Sequence, residues 1–312
     1  MSVRIGVIGA GHFGRFHLLK LAGSRQARLT GLHDPDPARA AAVAGEVGCA
    51  ALPAEALIAA SDAVIIACPT AFHAAHATAA LEAGRHVFVE KPIAATLAEA
   101  EALVTLAESR DRVLMVGQIE RHSAAIRTLR AECAGRDLRA LEAVRVAPFR
   151  PRSLDVSVVL DLMIHDLDLV LTLAGSELVE VWATGGRAVS PNTDWAVAHL
   201  GFANGVRATV TASRLAVGLE RRLRALGPEG ELRVDFLARS LDYVGPGGER
   251  PMEHLPGWGI TSRSWTDHDS LEAEQAEFVA AIAGRRPYEA DGRAGRAALD
   301  AALRVEAALT GG

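Results

Sequence analysis

Asp161, His165 and Asp168 stand at i, i+4 and i+7 in the run VVLDLMIHDLDLVLTL over 158–173. A carboxylate one helical turn from an imidazole can fix the ring's tautomer and raise its pKa, which equips the ring as a general base. On local pattern alone, the same pair also reads as a core histidine satisfied by its neighbour. Lys91 is the second candidate, set between Glu90 and Pro92 directly after an apolar run. Proline biases the residue before it toward extended backbone, and an ammonium held that way can polarise an oxygen or stabilise developing alkoxide charge. The plainer alternative is a loop lysine paired with Glu90. The third cluster is Gly9-Ala10-Gly11-His12-Phe13-Gly14. There Gly9 suits a tight turn, Gly11 the close approach of a pyrophosphate, and Gly14 the packing of a helix on a strand.

Each of these groups needs an element to hold it. Val159, Leu160, Met163, Ile164, Leu167, Val170 and Leu171 recur at spacings of three and four, which predicts one buried helix over 158–173. At about 100° per residue, that helix puts Asp161, His165 and Asp168 on one face, the first two roughly 6 Å apart along the axis. Val3–Ile8 predicts a strand, followed by the glycine turn and a helical pattern through Leu21. GxGxxG is weak by itself, and the order strand, turn, helix gives it meaning. A second apolar run, 27–32, leads to Asp34, 20 residues beyond Gly14. An acid there bonds a ribose 2′-OH and repels a 2′-phosphate, which favours NAD over NADP. Apolar runs at 63–67, 85–89 and 113–116 alternate with helical patterns at 37–47, 72–83 and 97–108. The alternation reads as α/β, its strands in a doubly wound parallel sheet with ligands at the strand C-terminal ends. Those ends carry Gly9, Asp34, Cys68-Pro69-Thr70, Glu90-Lys91-Pro92 and Gln118.

In the second half, a helix over 123–132 and a strand over 141–147 lead into Pro148-Phe149-Arg150-Pro151-Arg152. Arginines stiffened by prolines can grip a diphosphate or carboxylate, or simply lie on a solvated loop. Strand-like runs at 177–183, 195–202, 206–212, 221–226, 231–235 and 240–244 follow, with Asn204-Gly205 as a hairpin cue. The stretch 249–269, with His254, Trp258 and Trp265, reads as a packed loop. Amphipathic helices over 270–283 and 292–309 are expected to close back on the first domain.

At 312 residues the chain is long enough for two domains, and 50% hydrophobic with 23% charged residues is an ordinary globular mix. A net charge of −5 gives no reason to expect nucleic acid. The three cysteines form no CxxC, which suits a reducing cytoplasm. No signal-peptide pattern and no apolar run of membrane-spanning length is seen. His12, His17, His73, His76 and His86 lack metal-ligand spacing, so no metal is expected.

GAGHFG at 9–14, Asp34, CPTAFH at 68–73, EKP at 90–92 and DLMIHD at 161–166 occur in that order. Together they resemble the glucose–fructose oxidoreductase / inositol dehydrogenase / rhizopine catabolism (Gfo/Idh/MocA) family over nearly the whole chain. EKP with a later DxxxH carries the resemblance far more specifically than the glycine motif does. It implies a Rossmann domain, here 1–119, then an α+β domain, 120–312, with a large, mostly antiparallel, open-faced sheet for substrate binding and oligomerisation. It implies Lys91, Asp161 and His165 as the catalytic trio. The dinucleotide would lie across Gly9, Gly11, His12, Phe13, Gly14, Asp34, Pro69, Thr70, His73, Glu90 and Lys91. GHFGRFH at 11–17, QIER at 118–121 and APFRPR at 147–152 look like the subgroup of UDP-N-acetylglucosamine 3-dehydrogenases. That likeness adds Arg121 and Arg150 to Lys91, Asp161 and His165 at the substrate. The chain departs after Arg121, with His122-Ser123-Ala124 where the subgroup has Phe-Asn-Pro. The resemblance implies NAD-dependent hydride removal from a secondary hydroxyl of a sugar, a UDP-N-acetylhexosamine at C3, with an inositol or free sugar as the alternative substrate. It also implies a homodimer or homotetramer through the open sheet. A non-catalytic nucleotide-sensing regulator can use the same fold, but such a protein could dispense with the lysine, acid and histidine.

Overall fold

Val3–Ile8 (β1) runs directly into a helix, His12–Gly23 (α1), through the glycine turn. Ala27–His33 (β2), Pro37–Val47 (α2), Ala54–Ala60 (α3), Ala63–Ile66 (β3), His73–Glu82 (α4), His86–Glu90 (β4), Leu97–Ser109 (α5) and Leu114–Gly117 (β5) continue the alternation. In the computed structural model, which describes residues 2–151, 156–266, 269–285 and 287–310, these strands form a parallel sheet of order β2-β1-β3-β4-β5. Every residue of β3 and β5 is buried, as expected for strands covered on both faces. The sheet has five strands, one for each of the five apolar runs. After β5, Ile119–His122 closes as a single 3-10 turn. The short helix α3, with its alanine-rich sequence, had no periodic signature long enough to announce it. The order in which strands are added reverses between β1 and β3, the switch point where open α/β sheets bind ligands.

The second half begins with Ala124–Cys133 (α6), capped by the Ser123 hydroxyl on Ile126 N, and Ala140–Val146 (β6). After Ile164–Ala174 (α7) come Leu178–Gly186 (β7), Trp195–Phe202 (β8), Arg207–Ser213 (β9), Glu220–Gly227 (β10), Gly230–Asp235 (β11), Ser240–Pro246 (β12), Arg250–Pro251 (β13) and Trp258–Ser264 (β14). They make a nine-stranded sheet of order β13-β14-β12-β11-β10-β6-β9-β8-β7, antiparallel except at β6–β9. Helices α6 and α7 pack on it. The stretch 249–269 is therefore not only loop. Its strand β14 pairs with β12 from Ser240–Ser264 to Pro246–Trp258, and the surrounding glycines and prolines hid that strand from a pattern reading. The chain closes with Ser270–Ile282 (α8) and Gly292–Thr310 (α9). By contacts it divides into Met1–His122 with Asp269–Leu299, and Ser123–His268 with Asp300–Gly312. Among the described residues, no helix is long and apolar enough to cross a membrane.

The predicted helix over 158–173 is not one regular helix. Val159–Met163 forms a π turn, and regular α geometry begins only at Ile164. Such turns recur at functional positions. The three polar residues differ in burial: Asp168 is buried, whereas Asp161 and His165 are half-buried. Beside His165, Asp166 is also buried and accepts from Arg145 Nε at 2.6 Å and Nη2 at 3.1 Å. Leu141, Ala143 and Arg145 alternate inward along β6, so this arginine lies beneath α7 and holds it to the sheet. Removing one partner of a buried ion pair typically costs about 3–5 kcal/mol, whereas replacing both by apolar groups costs far less. Arg145→Met and Asp166→Leu should each lose stability on that scale, and the double variant should recover much of it. Urea denaturation of the three variants checks this, and simple additivity would contradict it.

Candidate functional site

At the nucleotide edge, Gly9 has φ +100° and donates from its N–H to His33 O at 2.7 Å. A side chain there would meet Cys68 N at 2.6 Å, and one on Gly14 would run into the Gly9 carbonyl. Nothing lies within 4 Å of where a Gly11 side chain would start, and no side chain caps the first turn of α1. An open helix N-terminus of this kind presents N–H groups and positive potential to an anion. At the end of β2, Asp34 accepts from Ala10 N at 2.8 Å and Asp36 N at 2.9 Å, with Arg39 Nη1 at 3.5 Å. These bonds orient the carboxylate and leave lone pairs for a ribose hydroxyl. His12 and Phe13 are exposed on the first turn of α1, with the His12 ring 4.8 Å from that of Phe16. Pro69 is exposed and Thr70 half-buried after β3, on the same strand-end edge. Gln118, just beyond β5, is buried, and its amide nitrogen has no hydrogen-bond partner among the described residues.

Lys91 is half-buried directly after β4, and its peptide bond to Pro92 is cis. Glu90, expected on the dinucleotide, turns its side chain inward. His17 Nε2 stands 2.7 Å from Oε1, and Gly117 leaves room for Oε2, which a side chain there would meet at 2.7 Å. His73, also expected on the dinucleotide, is buried, with Nδ1 2.8 Å from Pro92 O and Nε2 2.9 Å from Cys68 O. Its ring lies between these two loops, with a backbone carbonyl facing each nitrogen. Arg121, expected on the substrate, is buried with its guanidinium on the Glu289 carbonyl, which makes it a strut for the chain before α9.

A buried acidic cluster lies alongside. Helix α8 brings Glu274 and Glu277 to His122, at 3.7 Å and 3.2 Å. Glu274 is fully buried, and neither carboxyl oxygen has a hydrogen-bond partner among the described residues. Burial first, then the charges of Glu90 and Glu277, push its pKa well above the ordinary 4.5.

In the other unit, Asp161 and His165 are half-buried at the π turn and the first turn of α7, with His165 Nδ1 buried. Asp194 accepts from the Ser190 hydroxyl and from Ala188, Val189 and Ser190 N–H at 2.6–3.1 Å. Burial alone would raise its pKa, but these bonds outweigh burial and hold it far below the carboxylate range. The turn it fixes supplies Thr193 O to Val158 N at 2.8 Å, while Arg214 Nη2 donates to Val156 O at 3.1 Å. The entry to the π turn is thus bolted down, an arrangement that left no spacing signal in the sequence. Arg150 is exposed, and Arg152 lies outside the described residues. Among the described residues, no group of three or more His, Cys, Asp or Glu side chains could hold a metal ion.

Comparison with known proteins gives a consistent picture. The pattern described as "Oxidoreductase family, NAD-binding Rossmann fold" matches residues 3–118, and that of the GFO/IDH/MocA C-terminal domain matches 125–233. The chain is 44% identical over 310 residues to the UDP-N-acetylglucosamine 3-dehydrogenase of Acidithiobacillus ferrooxidans, covering 99% of this chain and 98% of that one. A solved structure of that enzyme superposes with TM-score 0.94 at 43% identity, covering 100% of this chain and 98% of the other. An inositol 2-dehydrogenase of Rhizobium meliloti is 30% identical, with 97% of both chains covered.

The state of Glu274 has a measurable consequence. Its folded-state pKa lies above the ordinary 4.5, so between those values the folded protein holds a proton that the unfolded chain releases. Stability from this group is complete below about 4.5 and is lost as pH rises through the folded value. Glu274→Gln, neutral and of similar shape, should remove that decline. Thermal melting of both proteins from pH 5 to 8 (roughly the range in which raised carboxyl groups titrate) tests this. Parallel curves would contradict it.

Proposed function

Because the chain belongs to the GFO/IDH/MocA oxidoreductase family, whose first domain binds NAD in a Rossmann fold, we propose that it oxidises the C3 hydroxyl of a UDP-N-acetylhexosamine. The observation that carries this reading is the full-length likeness to a UDP-N-acetylglucosamine 3-dehydrogenase. The first unit fits the cofactor through the open N-terminus of α1 beside Gly11 for a pyrophosphate and the oriented Asp34 for a ribose. When bound, the nicotinamide supplies the hydride acceptor.

The chain's own residues do the rest. His165 takes the hydroxyl proton at Nε2, its other ring nitrogen being the buried one. Lys91 donates to the same oxygen and stabilises negative charge there as C–O becomes C=O. Asp161 orients one or both of these groups. Arg150, exposed on its loop, is the candidate for the diphosphate. Cys49, Cys68 and Cys133 are free thiols, which suits the reducing cytoplasm. A second copy of the chain is assigned to the exposed outer strands, where Val179, Trp182 and Trp195 are 52%, 60% and 37% exposed.

Lys91→Ala and His165→Ala should each lower kcat roughly 10²- to 10⁴-fold while NAD still binds. Near-normal turnover in both would remove the assignment. NAD reduction with UDP-N-acetylglucosamine, free N-acetylglucosamine and myo-inositol decides the substrate. Preference for inositol would favour the second reading, which the inositol 2-dehydrogenase relative supports. Light scattering should give a dimer or tetramer that Trp182→Glu weakens.

A further inference from the structure

GHFGRFH at 11–17 and CPTAFH at 68–73 each end in a histidine that the chemistry above leaves unused. Both rings are buried, His17 at 0% and His73 at 1% exposure. They reach the two residues that flank Lys91. His17 Nε2 is 2.7 Å from Glu90 Oε1, and His73 Nδ1 is 2.8 Å from Pro92 O.

His17 is also anchored behind. The Gln275 side-chain nitrogen lies 3.0 Å from His17 Nδ1 and 3.2 Å from His17 O. A backbone carbonyl only accepts, so the Gln275 atom between them must be the amide NH₂, and Nδ1 accepts its second bond. His17 therefore carries its proton on Nε2 and donates it to Glu90. His73 Nε2 lies 2.9 Å from Cys68 O, but both oxygens facing this ring only accept and a neutral ring has one N–H, so with that proton on Nδ1 the bond goes to Pro92 O. Both rings thus direct a donor nitrogen at the lysine turn, and His17 is in addition held from behind by Gln275.

We propose that His17 and His73 are positioning residues that clamp the backbone on either side of Lys91. The proposal rests on the reading in which Lys91 polarises the substrate oxygen. A lysine has a flexible four-carbon stem and no rigid fork, so its aim depends on how firmly its backbone is held. A displacement of about 1 Å in a reacting group can cost on the order of 10²-fold in rate.

Amide substitutions give a test with reciprocal outcomes. A glutamine nitrogen reaches the place of histidine Nε2, and an asparagine nitrogen the place of Nδ1. At position 17, where Nε2 holds Glu90, His17→Gln should keep kcat within about threefold, and His17→Asn should lose roughly 10- to 100-fold. At position 73, where Nδ1 holds Pro92, the order reverses, with His73→Asn retaining activity and His73→Gln losing it. KM for the sugar and the affinity for NAD should move little in all four. Damage to packing would follow side-chain size and give the same order at both positions, which would overturn the clamp. The same overturning result would be a loss from His17→Asn as large in the Lys91→Ala background as in the wild type, measured by single turnover, because no ammonium remains there to position. Unchanged turnover in Lys91→Ala itself would instead bring down the catalytic reading, and the clamp with it. Thermal melts of all variants confirm that the compared proteins are folded.

Discussion

A charge taken out of water has to be met by a partner, and that constraint decides where the reactive groups of this protein stand. Glu90 carries its carboxylate inward because His17 is there to donate to it and Gly117 leaves it space. Asp166 enters the layer beneath α7 because Arg145 fills the inward position of β6. Asp194 collects four donors from one turn and thereby fixes the chain before the π turn. In each case the paired group stands beside a residue to which the proposed mechanism gives a role. Glu90 precedes Lys91, Asp166 follows His165, and Asp194 steadies the approach to Asp161.

Buried pairs of this kind contribute little net stability, since desolvation offsets most of the attraction. What they contribute is definition, since only one arrangement satisfies every partner. Glu274 is the exception among these buried acids. It has no donor of its own, and burial beside two other carboxylates leaves the neutral acid as the favoured form.

Much of the architecture was legible in the sequence because it rests on short-range signals. The glycine turn at 9–14, the alternation of apolar runs with helices, and the Asn204-Gly205 hairpin all depend on backbone freedom or on a period of a few residues. Gly9 at φ +100° is such a case. The site was legible only in part. The π turn over 159–163 has the same apolar spacing as an α-helix, so periodicity could not distinguish them. His73 sits where a cofactor contact was expected, and its two carbonyl partners are visible only in three dimensions. Glu90 and His17 lie 73 residues apart, a separation that leaves no local trace. Arg145 did leave one. Its place in the inward alternation of β6 called for an acid nearby, and that signal went unread.

The bond between Gln275 and His17 joins residues 258 apart, and Phe278 from the same helix packs its ring 5.7 Å from that of Phe88. Chains are made from the N-terminus, and domains generally fold as they emerge. Here the nucleotide-binding sheet is synthesised early, yet the helix that completes its core and secures the lysine turn arrives only after the whole antiparallel sheet has been made. A truncated or stalled chain would therefore carry every residue of the glycine turn and the EKP loop and still lack the support that sets them.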